Sequence, residues 1–174
     1  MNVRVILIVT GSDRPGLTKA LADAVHASGG NWLESHLSRL GGKYVGSVLV
    51  ELDAAALPDL EARVCGVDAN GLRVSLVPAD DAPQSGGDGL TVELVGQDRP
   101  GIVREVTAVL AALGVNIDSL TTSTEHGAWS GEPLYRAKAK VTLPKGMDQD
   151  EVQAALEGIS NEVMVDFTVR KAGA

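Results

Sequence analysis

Aromatic residues make up only 3% of this 174-residue chain, so any core must be aliphatic, and a hydrophobic content of 44% is enough to pack one. A single cysteine, Cys65, excludes an internal disulfide and a cysteine-based zinc site. No apolar run reaches the ~18 residues that a membrane-spanning helix needs. The opening stretch, MNVRVILIVTGSDRPG, is apolar, but Arg4 interrupts it and no small-residue cleavage site follows. It reads as a strand, not a signal peptide, and with the missing disulfides it predicts a cytoplasmic setting. Cations are also scarce. Fifteen Lys and Arg face 23 Asp and Glu, giving a net charge of −8 with no dense basic block. Affinity for nucleic acid comes mainly from basic side chains neutralising phosphates, so direct DNA binding is not expected, and any role in gene control would run through a protein partner. His26, His36 and His126 show no metal-ligand spacing. His26 is expected on a helix surface, His36 at a strand surface or edge, and Cys65 as a buried small hydrophobe. No G-x-S-x-G, P-loop or kinase signature is present, so the sequence offers no catalytic residue, metal ligand or cofactor site.

What the chain does have is a repeat. GSDRPGL at 11–17 and GQDRPGI at 96–102 lie 85 residues apart. The same offset carries Leu17, Leu21, Ala24 and Val25 onto Ile102, Val106, Val109 and Leu110. That spacing is one face of an amphipathic helix. Val5, Leu7 and Val9 map onto Leu90, Val92 and Leu94, the alternation of a half-buried strand. Gly29 and Gly114 stand where a left-handed helix cap belongs.

Each half reads strand, helix, strand, strand, helix, strand. In the first half the strands are expected at about 3–10, 32–40, 44–52 and 72–77 and the first helix at 15–28, with RLGGKY as a tight hairpin turn. Leu57, Leu60 and Val64 mark the second helix. In the second half YRAKAKVTL is strand three, Val152, Leu156 and Ile159 mark a helix, and VMVDFTV is the last strand. The order βαββαβ predicts an α+β fold, two ferredoxin-like units with helices on one face of an antiparallel sheet. Domain one is placed at 1–78, a Gly/Asp/Pro/Ser-rich linker at 79–89 and domain two at 90–171. The longer second hairpin, GAWSGEP at 127–133 with Trp129 at its tip, is expected either to make a contact or to fold back on the sheet.

The Asp-Arg-Pro-Gly turn links strand one to helix one. Pro15 suits the first helical position. Asp13 can accept from the first-turn amides, and Gly16 permits a close approach. Asp98, Pro100 and Gly101 repeat the pattern. Free amides at such a turn suit a carboxylate, although the same residues can do no more than stop a strand and start a helix. Asn31 and Asn116, opening strand two, can bind both ends of a zwitterion from a facing unit or can simply serve a tight turn.

The doubled DRPG(L/I), the helix behind it, the G-x-N before strand two and the SGEPLY hairpin resemble ACT domains, small βαββαβ regulatory modules that typically bind amino acids at domain–domain interfaces. The likeness spans nearly the whole chain as a tandem pair. More narrowly, GSDRPGLTKALADAVHASGGNWLESHLSRLGGKY and SGEPLYRAKAKVTLP are similar to the glycine cleavage system transcriptional repressor group. The resemblance implies a sensor, not an enzyme. It implies glycine or a serine-like small amino acid as ligand, a transcriptional activator as protein partner, and room for a homodimer. The ligand site it implies comprises Asp13, Pro15, Gly16, Leu17, Asn31 and Trp32, with Asp98, Pro100, Gly101, Ile102, Asn116 and Ile117. Trp32 stands where an aliphatic residue such as Ile117 commonly follows the Asn, so the first site is expected to be the weaker. A stand-alone regulatory subunit of a metabolic enzyme is the alternative reading.

Overall fold

The alternating residues at 5–9 and 90–94 form an inner strand in each of two four-stranded sheets. The computed structural model describes residues 1–68, 71–80, 87–126 and 133–171, and the chain divides into two units, Met1–Ala82 and Pro83–Ala174. In the first unit the elements are β1 (Asn2–Ser12), α1 (Leu17–Ala27), β2 (Asn31–Leu40), β3 (Lys43–Asp53), α2 (Leu57–Asp68) and β4 (Leu72–Pro78). In the second they are β5 (Gly89–Gln97), α3 (Ile102–Ala112), β6 (Asn116–His126), β7 (Pro133–Thr142), α4 (Gln149–Val163) and β8 (Val165–Lys171). The sheets are antiparallel, with strand orders β2-β3-β1-β4 and β6-β7-β5-β8. This is the expected α+β, ferredoxin-like arrangement, made twice.

Each unit has its own aliphatic core. Leu7, Val9, Leu21, Val25, Val48, Val50, Leu60, Val64 and Leu72 are buried together in the first. Leu90, Val92, Leu94, Ile102, Leu110, Val141, Val152, Leu156 and Val163 form the second. The helix faces read from the repeat are the buried ones: Leu17, Leu21, Ala24 and Val25 in α1 and Ile102, Val106 and Leu110 in α3, with Val109 partly buried. Both helices end in the same way. Gly30 N–H donates to the Val25 carbonyl and Gly29 N–H to that of His26, and Val115 and Gly114 bond in the same pattern to Leu110 and Ala111. With Gly29 and Gly114 at φ 73° and 70°, this is the paired bonding of a Schellman motif.

Three details differ from expectation. Cys65 is exposed, not buried. Leu60, Val64 and Val67 set the inward face of α2, and a residue next to Val64 is turned about 100° away from it. VMVDFTV is not all strand: Val163 ends α4, Met164 is its left-handed cap at φ 52°, and β8 begins at Val165. The helices after the repeated motif start at Leu17 and Ile102, later than the motif suggests. The RLGGKY hairpin is a two-residue loop, with Gly41 and Gly42 both at positive φ between the paired Leu40 and Lys43. Trp129 and most of the 127–133 stretch lie outside the described residues.

Candidate functional site

The connection from β1 to α1 is Asp13–Gly16. Pro15 does not open the helix. Gly16, at φ 93°, is the N-cap, and Gly101 does the same for α3 at φ 100°. A proline, fixed near −65°, cannot supply that turn, so it sits one residue earlier. This placement also removes Asp13 from capping distance, and neither helix has a side-chain cap. The Asp13 carboxylate instead lies 3.2 Å from Arg39 Nε in β2, and its N–H donates to the Gly42 carbonyl in the hairpin loop. Asp98 N–H donates to the Pro133 carbonyl. The motif's aspartate thus ties the turn to the neighbouring hairpin.

The uncapped first turns are what remains open. Helical bonding begins with Ala20 N–H to the Gly16 carbonyl (2.9 Å) and Glu105 N–H to that of Gly101 (3.0 Å), so the amides of Leu17–Lys19 and Ile102–Arg104 have no intrahelical acceptor. The side chains of Leu17 and Ile102 are buried in the cores and can offer a ligand only their N–H. In contrast, α4 carries a complete capping box between Asp148 and Glu151. Nothing stands within 4 Å of where a Gly16 side chain would begin.

The two turns differ in charge. Arg99 Nη2 lies 2.5 Å from Glu105 Oε2 and donates to the Glu162 carbonyl, while its Nε donates to that of Val163. The Glu105 carboxylate reaches to within 3.4 Å of where a Gly101 side chain would begin. The first turn has Ala20 at the equivalent position, and Arg14 makes no ion pair among the described residues.

Asn31 and Asn116 are not near the turn of their own unit. Asn31 pairs with Glu51, which pairs with Arg4, whereas Ser12 pairs with Lys43 at the other end of the sheet. At ~3.3 Å per residue the turn and the asparagine are roughly 30 Å apart. The second unit repeats this separation: Asn116 pairs with Thr142 opposite Gly89, and Gln97 pairs with Leu134. A β-bulge follows each asparagine, between Trp32 and Glu34 and between Ile117 and Ser119. Trp32 and Ile117 are partly buried against their cores, so the indole neither fills nor covers the turn of its own unit. At the second bulge Asp118 accepts from Asn116 Nδ2 and Thr142 Oγ1, both at 2.7 Å. Sequence reasoning missed Asp118 and Glu105. Both occupy places where the repeats mismatch, against Leu33 and Ala20, and a search for matches passes over them.

The two uncapped turns thus recur on duplicated ferredoxin-like units. Residues 4–74 match a family model described as an ACT domain, and residues 90–136 match a second one. The chain belongs to the ACT-domain family, and the structure completes the second domain beyond that match, through α4 and β8. Phosphoserine phosphatase SerB2 of Mycobacterium tuberculosis is 30% identical over 180 residues, which is 99% of this chain but only 42% of that protein. A crystal structure of an unknown protein from Galdieria sulphuraria superimposes with a TM-score of 0.82 at 29% identity, covering 99% of both chains. A proposed glycine cleavage system transcriptional repressor gives a TM-score of 0.72 at 14% identity, over 99% of this chain and 98% of that one; at that identity the likeness is one of fold. Among the described residues no helix is long and apolar enough to cross a membrane, and no cluster of His, Cys, Asp and Glu could hold a metal.

Proposed function

We propose that this tandem ACT protein is a sensor of glycine or a similar small amino acid and controls glycine-cleavage gene expression through a protein partner. The observation that carries the reading is the pair of uncapped glycine-initiated helices, α1 and α3, where all four turn residues, Asp-Arg-Pro-Gly, recur at a fixed offset. The ligand carboxylate sits on first-turn amides at Gly16–Leu17 or Gly101–Ile102. Asp13, Pro15, Asp98 and Pro100 shape the turns. Because turn and asparagine are at opposite ends of each sheet, the ammonium end is held by the asparagine of another ACT unit. Asn116 with Asp118 gives that end a carboxylate as well as an amide, and Asn31, followed by Leu33 at the bulge, is the weaker partner. At the other end the first turn is favoured, because Arg14 has no acidic partner among the described residues, whereas Arg99 beside the second is already paired with Glu105.

A ligand as small as glycine is limited to about 1.5 kcal/mol per heavy atom, so its Kd is at best roughly micromolar. Calorimetry of the full chain with glycine, serine and alanine tests the reading, and absence of binding to all three at millimolar concentration removes it. The SerB2 match supports a second reading, a regulatory unit serving an enzyme of amino-acid metabolism. Co-purification separates the two: a transcriptional activator favours the first, a metabolic enzyme the second.

A further inference from the structure

The helix-free face of the first unit carries a cleft that the amino-acid reading does not use. Its volume is about 370 Å³, and it is lined by Thr10, Gly11, Ser12, Lys43, Gly71 and Arg73. Pairing register places its polar side chains together: Thr10 is opposite Arg73 and Ser12 opposite Lys43, so all four project from the same side of the sheet. That side is the one away from the core, since the buried residues of β1 are the alternate ones, Val5, Leu7 and Val9. Lys43 Nζ donates to Ser12 Oγ at 3.1 Å. Arg14 Nη2 lies 3.2 Å from where a Gly71 side chain would begin, which puts a third cation at the rim.

These cations are left over in an acidic protein. Arg4, Arg39, Arg63, Arg99 and Arg136 each face a carboxylate. Neither Arg14, Lys43 nor Arg73 has an acidic partner among the described residues, and the neighbouring Asp13 is turned to Arg39. The second unit has a cleft at the corresponding end of its sheet, about 410 Å³, whose lining includes Val95, Gln97, Leu134 and Asp166 together with Ser160 and Asn161 of α4. By register, Asp166 stands where Arg73 does and Leu134 where Lys43 does. The fold alone therefore does not demand the positive charge.

We infer that the first-unit cleft binds a small phosphate, either inorganic phosphate or the phosphate monoester of a small metabolite. Two guanidinium groups give forked donors to a tetrahedral oxyanion, Lys43 adds a point charge, and the Thr10 and Ser12 hydroxyls complete the donor set. The volume fits a phosphate with a few attached carbons and is at the small end of ligand sites. Recognition rests on the dianion, so affinity rises as pH passes upward through the second phosphate ionisation, about pH 6 for a monoester and higher for the free ion.

The test is an amide NMR titration of the full chain with inorganic phosphate, with glycerol 3-phosphate, and with glycerol as the uncharged control. Saturable shifts confined to residues 10–14, 43 and 71–73 are expected for the phosphates and none for glycerol. A preference for glycerol 3-phosphate over inorganic phosphate assigns the site to monoesters, and the reverse order assigns it to the free ion; both support the inference. Arg73→Gln and Lys43→Gln, both at exposed positions, should each weaken binding roughly tenfold or more. Arg170→Gln, which removes a cation from β8 of the second unit, should leave it unchanged. Absence of saturable shifts in the wild type overturns the inference without reference to any variant, as do equal affinity in Arg73→Gln or an equal loss in Arg170→Gln. None of these phosphate probes contains an amino acid, so phosphate binding and glycine binding succeed or fail separately.

Discussion

Gly11 and Gly16 belong to one turn, yet they are glycine for different reasons. A side chain on Gly11 would begin 2.4 Å from the Gly71 carbonyl oxygen, and one on Gly96 would begin 2.3 Å from that of Met164. The first glycine of each motif is thus required by the close approach of the last strand. Gly16 meets nothing and is required only by its positive φ. Gly11→Ala should therefore cost more than Gly16→Ala, about 2–3 kcal/mol against about 1 kcal/mol in urea unfolding. The same geometry makes Gly101→Val a poor way to block a ligand, because a β-branched residue at φ 100° strains the backbone. Asn116→Ala is the cleaner probe. Its side chain is exposed and bonds only Asp118 among the described residues, so it should weaken amino-acid binding by about 1–3 kcal/mol in calorimetry with little change in melting. Equal binding by this variant places the ammonium end elsewhere.

Among the elements, the two helices of the second unit start by different means, and this separates stability from function. The N-terminus of α4 is satisfied by its own capping box, so Asp148→Ala should lower unfolding free energy by about 1 kcal/mol and leave ligand binding alone. The start of α3 has no side-chain cap, and an occupied site would supply its acceptor. The open sheet face of this unit carries an ion pair across β5 and β7, with Glu93 Oε1 and Lys138 Nζ 2.7 Å apart. The hydrogen bond and charge of Lys138 hold the Glu93 carboxyl below its usual pKa. A depressed folded pKa contributes stability above the unfolded value and loses it as pH falls through the folded one. Lys138→Met should accordingly return the Glu93 titration upward toward the ordinary carboxylate range, read by side-chain NMR. Solvent screening on the open sheet face keeps the effect on stability small.

On the scale of the whole molecule, the duplicated fold carries two cores, each built from residues of a single unit. A fragment of residues 1–82 should therefore fold with dispersed amide signals, although a domain of this size buries only about 60–65% of its unfolded surface and is marginal. A fragment without cooperative unfolding would show that the first core is insufficient alone. The net charge of −8 predicts that the full chain does not footprint DNA at physiological salt.

The element order, the repeat and the buried faces were legible in the sequence by itself. Leu17, Leu21, Ala24 and Val25, or Val5, Leu7 and Val9, declare a helix or strand through spacing along the chain, and the offset of 85 confirms each reading a second time. Cys65 escaped this logic because one step along a helix reverses exposure, and the phase of α2 was marked by few residues. What the tertiary structure decided is everything that depends on partners distant in sequence. Strand pairing put Asn31 and the Asp13 turn at opposite ends of one sheet. The same pairing joined Asp13 to Arg39, and helix packing joined Arg99 to the end of α4. It also gathered Lys43 and Arg73 into one cleft while setting Leu134 and Asp166 in its counterpart. Periodicity is a local property and can be read along the chain, whereas register is fixed by contacts between strands, and only folding brings those residues together.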